Sequence, residues 1–543
     1  MATRIKGIML VGLLLLSLLG LRAAYVQIYQ GVELATRASR EHSRQVSGLS
    51  MRGQIIDRNG NILAGGWPTR WLLADRYTLP QAITEAEHRA GVKTGTYLKR
   101  WVQAQDRGMN SVILDARAGE KSGLLQPLQL PGLRLVEGYT RYRQPALAPH
   151  LIGYTTQAAS TDDQPHGATG VEMKYDAWLS RQTERWQELV DGRGKPIPGL
   201  SNQIMGNNEQ SAVVLTLDRR LQTLAQQAMA ASGAKRGAVV VLDVATRDIL
   251  ALASLPEFEP ETYYAADLDN NPYINRALLP YHPGSLFKVV VAAAVLENHL
   301  IDETHLYRCP GYYTFPSGVT ISCWKKEGHG LLSFDQGLAL SCNSTFIQIG
   351  QLAGRNRILQ EAERLHLTDN QITGFDHLEQ NGLLQVEHGG PALANACLGQ
   401  QGVMMTPLRM ANLMATVADN GWWRPPRLVL EKRQGDRPIA LYRQPPARQV
   451  ISSATSQRLQ KMLRSVVDEG TGKRAQGLWP TAGKTASSEA TGDILHTWFA
   501  GYVPADEPRI AIAVLVEQGT SGGATCAPIF KAIADGAAKI YHW

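Results

Sequence analysis

The chain has few cysteines and no concentrated charge of either sign, and each shortage excludes a class of protein. Five cysteines among 543 residues are too few for a disulfide-dense scaffold, and they form no Cys-x-x-Cys pair of the kind found in zinc sites. A formal net charge of +7 is modest for this length and lacks the basic stripe that nucleic-acid binding requires. With 44% hydrophobic and 19% charged residues, the chain can bury large cores in roughly three or four modules and is not disordered.

An apolar segment near the N-terminus favours a membrane anchor. Residues 8–21 carry no charge, and Arg4 and Lys6 precede them. A cleaved signal peptide is the alternative, but the residues after Leu21 form a poor cleavage site. Extending the segment to Ile28 gives about the twenty apolar residues that span a bilayer. We therefore predict an uncleaved anchor whose N-terminus is cytoplasmic, with the rest of the chain outside.

This topology places the cysteines in a compartment that permits disulfide bonds. Cys309 could pair with Cys323, or Cys323 with Cys342, and an odd number of cysteines leaves at least one thiol free. The sequence does not choose between these pairings, and Cys397 and Cys526 are open in the same way.

Hydrophobic patterns separate an irregular first part of the chain from a regular second part. Residues 54–64 read as two short strands around Asn59-Gly60, and residues 80–205 mix short helices with turns. In the second part, Asp218 and Thr406 are predicted N-caps of helices. Strands are predicted early and late in this part, at 238–244, 249–254, 481–487, 497–503 and 509–516. This order predicts an α+β domain on one antiparallel sheet.

A serine and a lysine one helical turn apart are the first chemical motif. Ser285 and Lys288 precede an apolar run that predicts a buried helix. Burial lowers the pKa of a lysine, so Lys288 could take the proton of the Ser285 hydroxyl at a helix N-terminus. Alone, the pattern favours a capping serine and a solvated lysine, because a chain of this length contains roughly one or two by chance.

Two further motifs strengthen the catalytic interpretation. Ser341-Cys342-Asn343 separates two predicted helices, and residues 481–487 form a predicted strand that contains Lys484 and Thr485. A hydroxyl can relay protons, an amide can orient a peptide carbonyl, and a lysine beside a hydroxyl can hold a carboxylate. Three motifs in this order are those of serine acyl-transfer enzymes, Ser-x-x-Lys, Ser-x-Asn and Lys-Thr-Gly, with Ala486 in place of the glycine here.

Over nearly its whole length the chain resembles the class B penicillin-binding proteins, the monofunctional D,D-transpeptidases of peptidoglycan synthesis. Further segments match that family: Arg52-Gly53, residues 56–60, Leu63-Ala64, residues 167–172, Asn275-Arg276-Ala277, Gly328-His329-Gly330, Thr406-Pro407-Leu408 and Gly470-Thr471-Gly472. The resemblance implies a cytoplasmic stub and transmembrane anchor (1–28), an extended irregular pedestal (29–205) and a transpeptidase domain (206–543). That α+β domain is expected to hold a five-stranded antiparallel sheet with helices on both faces.

The resemblance also implies catalytic roles. Ser285 is expected to attack the carbonyl of the penultimate D-alanine in a stem peptide, with Lys288 as general base. The terminal D-alanine is expected to leave after protonation through Ser341 and Lys288. An amine of a neighbouring stem peptide then resolves the acyl-enzyme and makes the cross-link. No metal or organic cofactor is implied.

Substrate binding is assigned to a second set of residues. Asn343 is expected to position the donor peptide, and Lys484 with Thr485 to bind its terminal carboxylate. The backbone N–H groups of Ser285 and Ser487 are expected to form the oxyanion hole.

The sequence departs from the family pattern at two positions. Ala486 stands where the family usually has glycine, under the bound substrate; its methyl is expected to crowd the peptide, so that Ala486→Gly should speed acylation. A glutamine, Gln401, follows Gln400 where the family often has glycine. A literal Lys93-Thr94-Gly95 also occurs, but it lies in the predicted pedestal, so the role is assigned to Lys484.

The resemblance further implies partners and a location. Stem peptides and β-lactams are the expected ligands, a polytopic membrane glycosyltransferase is the expected partner, and the bacterial cell membrane is the expected location. Two other functions remain open: a D,D-carboxypeptidase or β-lactam-hydrolysing relative, and a catalytically weak scaffold for wall synthesis. The presence of an anchor and pedestal argues against the first, and the retained motif residues argue against the second.

Overall fold

The computed structural model describes most of the chain. The described residues are 2–34, 43–45, 52–106, 108, 111–115, 117–125, 130–156, 165–180, 185–190, 196–204, 210–261, 270–375, 380–490 and 494–543.

Helices of six residues or more are concentrated in the second part of the chain. In chain order they are α1 (Ala2–Ile28), α2 (Pro80–Ala90), α3 (Thr96–Asp106), α4 (Arg219–Ala231), α5 (Lys288–Glu297), α6 (Phe334–Ala339), α7 (Asn343–Ala353), α8 (Arg355–Arg364), α9 (Gly390–Cys397), α10 (Pro407–Ala418), α11 (Ser453–Asp468) and α12 (Ala527–Tyr541).

Strands of three residues or more occur in both parts. In chain order they are β1 (Ser43–Gln45), β2 (Gln54–Ile56), β3 (Ile62–Asp75), β4 (Ser111–Asp115), β5 (Leu133–Tyr142), β6 (Arg185–Val190), β7 (Pro196–Ile204), β8 (Ser211–Leu215), β9 (Gly237–Asp243), β10 (Ile249–Leu255), β11 (Tyr307–Cys309), β12 (Tyr312–Thr314), β13 (Thr320–Ser322), β14 (Gly330–Leu332), β15 (Val429–Gln434), β16 (Arg437–Leu441), β17 (Ala482–Glu489), β18 (Leu495–Val503) and β19 (Ile510–Glu517).

Helix α1 stands apart from the packed core. Its segment Arg4–Ile28 is long and apolar enough to cross a membrane, and none of its most apolar stretch is buried against the rest of the chain. Apolar side chains left in water would cost free energy, so this helix requires an apolar environment. The finding agrees with the predicted anchor, whereas its orientation stays a prediction.

The first mixed sheet joins the predicted pedestal to the start of the second part. Its strand order is β16-β15-β8-β2-β3-β4, and β5 pairs with β3 off this path. The predicted hairpin around Asn59-Gly60 is confirmed, with Ile55 opposite Ala64. Strand β8 pairs parallel to β2 and antiparallel to β15. The first and second parts therefore share one sheet, and a domain boundary near residue 205 stays a prediction.

The second sheet is the predicted five-stranded antiparallel one. Its order is β10-β9-β19-β18-β17, so strands from both ends of this part close it and β17 forms an edge. Alternating side chains of these strands enter two cores, because successive residues of a strand point to opposite faces. One face packs against α4 and α12, and the other carries the larger core with α5, α7 and α10. The predicted α+β class is confirmed.

Local sequence signals place the helix ends where expected. Asp218 caps α4 by accepting a hydrogen bond from the Arg220 N–H, and Thr406 caps α10 ahead of Pro407. Ser333 and Gln336 form a reciprocal capping box at α6. Helix α5 is apolar on all sides, and Val289 to Val295 are buried, as the sequence predicts.

Candidate active site

The predicted nucleophile lies on a tight turn just before the buried helix α5. Ser285 is the middle residue of a 3₁₀ turn, Gly284–Leu286, and Lys288 is the first residue of α5. Gly284 has φ +54°, and a Cβ at that position would lie 2.8 Å from the Ser487 carbonyl oxygen. A residue larger than glycine would therefore push the turn away from edge strand β17.

A second glycine, Gly399, packs against the same turn. The Gly284 N–H donates to the Gly399 carbonyl at 2.9 Å, and a Cβ on Gly399 would lie 1.9 Å from the Gly284 oxygen. Gln400, which follows Gly399, accepts a hydrogen bond through its side chain from the Glu489 N–H at the end of β17. These contacts are present although Gln401 stands where the family often has glycine.

The Ser341 turn brings the second motif to the same place. Ser341 has φ +54°, an uncommon backbone conformation for a serine, between α6 and α7. Its carbonyl accepts a hydrogen bond from Lys288 Nζ at 2.8 Å, and Asn343 Oδ1 accepts another from the same nitrogen at 2.8 Å. The left-handed turn thus points two acceptors at the buried lysine.

The third motif reaches Ser341 from the sheet. Lys484 Nζ donates to Ser341 Oγ at 2.8 Å and to the Thr485 carbonyl at 2.8 Å. Lys288 Nζ lies 3.5 Å from the same Ser341 Oγ. One hydroxyl therefore joins two lysines that are 196 positions apart in the chain and both fully buried.

Burial and mutual repulsion set the protonation of this lysine pair. Desolvation lowers the pKa of Lys288 to about 8, although nearby thiols favour its charged form. Desolvation also lowers the pKa of Lys484 well below its ordinary value, and the charge of Lys288 lowers it further. A neutral lysine near neutral pH can accept a proton, which is what a general base requires.

The Ser285 hydroxyl differs from the sequence-based expectation in one respect. In the described part of the chain it makes no hydrogen bond, and Lys288 donates its hydrogen bonds to Ser341 and Asn343 and not to Ser285. Ser285 remains partly exposed at the mouth of the cluster while Lys288 is buried. Catalytic hydrogen bonds are often long or absent without substrate, so this geometry is compatible with the predicted role of Ser285.

Thr485 and Ser487 lie on the opposite face of β17 from Lys484, because strand residues alternate. The Thr485 hydroxyl lies 2.6 Å from that of Thr471 in the Gly-Thr-Gly segment, and Ser487 Oγ accepts from the Gly522 N–H at 3.4 Å. The backbone of Ser487 adjoins Gly284. Their binding roles stay predictions.

Ala486 faces a different neighbour from the one expected. Its side chain shares the face of Lys484, is 4% exposed and belongs to the larger core. A Cβ on Gly284 would lie 3.3 Å from the Ala486 Cβ, so the methyl lies under the nucleophile turn and not over an open cleft. This packing does not support the expectation that the methyl crowds the substrate directly, and the effect of Ala486→Gly on acylation stays a prediction.

The literal Lys93-Thr94-Gly95 is part of an exposed turn between α2 and α3. Lys93 and Thr94 are exposed, and the Gly95 N–H donates to Glu87. The flanking Val92 and Tyr97 pack in a core of the predicted pedestal around Ile83, whereas Lys484 contacts Ser341 directly. The choice of Lys484 for the third motif agrees with this geometry.

One group of residues beside the site was missed from the sequence. Cys309, Cys323, His329 and Cys342 place their possible ligand atoms within 4.8 Å of one another. Their spacing lacks Cys-x-x-Cys pairs, so the sequence predicted no metal site. Neither proposed disulfide is present, since all five cysteines are free thiols.

Comparisons with known proteins agree with this arrangement. A family model described as the penicillin binding protein transpeptidase domain matches residues 237–535. The stage V sporulation protein D of Bacillus subtilis is 26% identical, with 97% of this chain and 84% of the relative aligned. The peptidoglycan D,D-transpeptidase FtsI of Escherichia coli is also 26% identical, over 97% and 90% of the two chains.

A solved structure shows the same architecture. The crystal structure of penicillin-binding protein 3 from Mycobacterium tuberculosis, complexed with aztreonam, superposes with a TM-score of 0.63 at 25% identity. The match covers 92% of this chain and 97% of that one. Together with the convergence of the three motifs on Ser341, these matches establish that the chain belongs to the class B penicillin-binding proteins, within the transpeptidase family.

Proposed function

We propose that this peptidoglycan D,D-transpeptidase uses Ser285 as its acyl-forming nucleophile and the Lys288–Ser341–Lys484 cluster to move protons. The observation that carries the proposal is the Ser341 hydroxyl, which accepts from Lys484 at 2.8 Å and lies 3.5 Å from Lys288. Two buried lysines joined by one hydroxyl form a short proton path beside an accessible serine.

Acylation follows from the lowered pKa of Lys288. The Ser285 oxygen attacks the carbonyl carbon of the penultimate D-alanine, and its proton passes to neutral Lys288. The C–N bond to the terminal D-alanine then breaks, and the leaving amine receives a proton through Ser341. Asn343 accepts a hydrogen bond from Lys288 through Oδ1 and donates one to the Ser322 carbonyl through its amide nitrogen. Held in this way, Asn343 positions the donor peptide of the substrate beside the Ser341 turn.

Substrate binding uses the free edge of the sheet. Strand β17 ends the order β10-β9-β19-β18-β17, so its outer backbone groups can pair with an extended peptide. Thr485 lies on this strand and binds the terminal carboxylate of the donor through its hydroxyl, whereas the Lys484 side chain points to the opposite face and donates to Ser341 Oγ. The backbone N–H groups of Ser285 and Ser487 hold the developing oxyanion, since the two segments adjoin at Gly284.

Cross-linking completes the cycle. An acceptor amine attacks the Ser285 ester and gives a proton to neutral Lys288, the amide bond forms as the C–O bond to Ser285 breaks, and the serine oxygen takes that proton from the lysine cluster. The leaving D-alanine and the cross-linked peptide account for all atoms without a cofactor.

The proposal also includes the orientation of the chain in the membrane and its membrane partner. Arg4 and Lys6 precede the apolar stretch of α1, which favours a cytoplasmic N-terminus and an extracytoplasmic catalytic domain. The exposed apolar surface of α1 suits packing against the helices of a polytopic membrane glycosyltransferase.

Product analysis tests the proposed activity. The full chain in detergent is incubated with a stem peptide that ends in D-Ala-D-Ala and with an acceptor peptide that carries a free amine. We expect cross-linked dimer together with an equal amount of free D-alanine, and neither product with Ser285→Ala. Free D-alanine without dimer would indicate a carboxypeptidase, and the absence of both products from the parent chain would indicate a scaffold.

A further inference from the structure

The backbone segment that leads into the nucleophile turn is held by residues outside the five-stranded sheet. The Tyr281 N–H donates to the Met405 carbonyl at 2.9 Å, and the Met405 N–H donates to the Tyr281 carbonyl at 2.8 Å. His282 Nδ1 lies 2.8 Å from the Val403 carbonyl oxygen, and the ring nitrogen is the donor because a carbonyl only accepts. These contacts fix the chain just before Ser285.

Two buried side chains hold the same segment from the sheet. Ser488 Oγ, on edge strand β17, donates to the His282 carbonyl at 2.8 Å. Trp498 Nε1, on the neighbouring strand β18, donates to the same oxygen at 3.1 Å. Both side chains are 0% exposed, and the two lone pairs of one carbonyl oxygen can accept both bonds. The His282 carbonyl therefore ties the segment to two strands of the sheet at a single atom.

The Ser488 hydroxyl has a choice of acceptors. The His496 carbonyl lies 3.4 Å from Ser488 Oγ, whereas the His282 carbonyl lies 2.8 Å away. A serine hydroxyl carries one proton, and the shorter contact is the better hydrogen bond. A bond to His496 would only join two residues that the strand ladder already pairs. The bond to His282 instead joins the sheet to a separate segment of the chain.

These donors act where β17 meets the nucleophile turn. Ala486 and Ser488 share one face of β17 with Lys484, because successive strand residues alternate. Ala486 lies under the turn, and Ser488 reaches the segment before it. Ser487, between them, carries one N–H group of the proposed oxyanion hole, and Ser285 carries the other. A shift of the turn relative to β17 would therefore change the spacing of these two N–H groups.

We propose that Ser488 and Trp498 are positioning residues, which set the spacing of the oxyanion hole by holding the His282 carbonyl. The inference rests on the proposed function, in which the N–H groups of Ser285 and Ser487 bind the developing oxyanion. Such donors act at about 2.7–3.1 Å from the oxyanion, and a misplacement of about 1 Å can cost about a hundredfold in rate. Neither side chain contacts the substrate, so both act through the His282 carbonyl.

Acylation kinetics with a labelled penicillin test this role in the full chain in detergent. In Ser488→Ala we expect the acylation rate constant to fall by about tenfold or more, while the dissociation constant of the noncovalent complex stays close to the parental value. The substitution removes one hydrogen bond and leaves the nucleophile and both buried lysines unchanged. A folded Ser488→Ala chain that acylates at the parental rate would overturn the inference.

A second buried serine provides the matched control. Ser456 is also 0% exposed and donates to a backbone carbonyl, that of Val417, at 2.6 Å. Ser456→Ala is expected to lower the melting temperature by an amount similar to Ser488→Ala but to acylate at the parental rate. Equal slowing in the two variants would show that lost stability, and not positioning, explains the effect.

Trp498→Phe keeps the test independent of whether Ser488→Ala folds. It removes the Nε1 donor and retains an aromatic ring, and we expect acylation to slow by about tenfold. Trp178→Phe is its control, because Trp178 Nε1 donates to the Ala212 carbonyl at the same distance of 3.1 Å, in the predicted pedestal. Parental acylation in Trp498→Phe, or equal slowing in Trp178→Phe, would contradict the inference.

The carbonyl stretch of the acyl-enzyme reports the oxyanion hole directly. Hydrogen bonds to an ester carbonyl lower its stretching frequency, so infrared difference spectra with an isotope-labelled penicillin follow this contact. We expect a higher frequency in Ser488→Ala than in the parent chain, and the parental frequency in Ser456→Ala. An unchanged frequency in Ser488→Ala would refute the positioning role alone. A parent chain that is never acylated at Ser285 would instead refute the proposed function.

Discussion

At the scale of single residues, the proposed mechanism depends on the Ser341 hydroxyl, which contacts both Lys288 and Lys484. Both lysines are fully buried, and burial lowers both pKa values. Two ammonium groups around one hydroxyl would repel each other, so the pair is poised to exchange a proton. The sequence spacing predicted that Lys288 could reach the Ser285 hydroxyl. It did not predict that Lys288 would donate hydrogen bonds to Ser341 and Asn343 in the absence of substrate.

Removing Lys484 should abolish most acylation. Lys484→Ala deletes the donor to Ser341 Oγ and one of the two lysines of the proposed proton path, so we expect acylation by a labelled penicillin to slow by about a hundredfold or more. Lys93→Ala is the matched control, because Lys93 lies on an exposed pedestal turn and should leave the rate unchanged. A rate that survives Lys484→Ala but falls in Lys93→Ala would reverse the motif assignment.

Replacing Ala486 should weaken packing and not speed the reaction. The methyl lies under the nucleophile turn, with the Gly284 Cβ position 3.3 Å away. Ala486→Gly removes this contact and adds backbone freedom in a strand, so we expect stability to fall by about 1 kcal/mol and acylation not to accelerate. Thermal unfolding and the acylation rate measure the two effects. Faster acylation at unchanged stability would restore the substrate-crowding explanation.

At the scale of elements, a buried ion network joins separate segments of the predicted pedestal. The Glu172 carboxylate is fully buried and accepts from Arg52 Nε at 2.9 Å, from Arg141 Nε at 2.6 Å and from the Tyr142 hydroxyl at 3.1 Å. The segments that carry Arg52 and Glu172 were singled out from the sequence separately. Only the fold shows that they make one salt bridge across 120 positions.

Breaking this network should strongly destabilise the pedestal. Glu172→Ala leaves the Arg141 guanidinium without its carboxylate partner and Arg52 with Asp176 alone, and we expect a loss of about 3 kcal/mol in unfolding free energy. Glu85→Ala is the control, because Glu85 pairs with Arg89 on an exposed helix face and should cost well under about 1 kcal/mol. Equal melting temperatures for the two variants would show that the network contributes little.

The sequence predicted local structure and motif order well because both depend on neighbouring residues. The Asn59-Gly60 hairpin, the Asp218 and Thr406 caps, the buried helix α5 and the five-stranded sheet follow from periodicity, turn residues and capping. The direction of the Ala486 methyl depends on which face of β17 meets the Gly284 turn, and that is a tertiary relation. The group of Cys309, Cys323, His329 and Cys342 was missed for a similar reason, since its members come from four separate elements. Three cysteines around the Gly328-His329-Gly330 segment were the available signal.

At the scale of the whole molecule, the chain combines one exposed apolar helix with a packed catalytic assembly. Helix α1 contributes nothing to the cores, while the mixed sheet continues from β2 and β3 into β8 and β15. Pedestal strands therefore support the start of the catalytic part through backbone hydrogen bonds.

Deleting the anchor should make the chain soluble without detergent and leave its acylation rate unchanged. A chain that lacks residues 1–28 is expected to remain in the aqueous fraction without detergent and to acylate at the parental rate, because α1 is not buried against the rest of the molecule. The full chain should sediment with membranes. Full-length protein in the aqueous fraction, with residues 1–28 still attached by mass, would contradict the anchor.

The most direct test of the central claim is acylation of the chain with a labelled penicillin, followed by digestion and mass mapping. Ser285 lies beside β17 with the buried Lys288–Ser341–Lys484 cluster behind it, so we predict one label per chain on the peptide that contains Ser285, and none in Ser285→Ala. A label on another residue, or labelling that persists in Ser285→Ala, would contradict the assignment of Ser285 as the nucleophile.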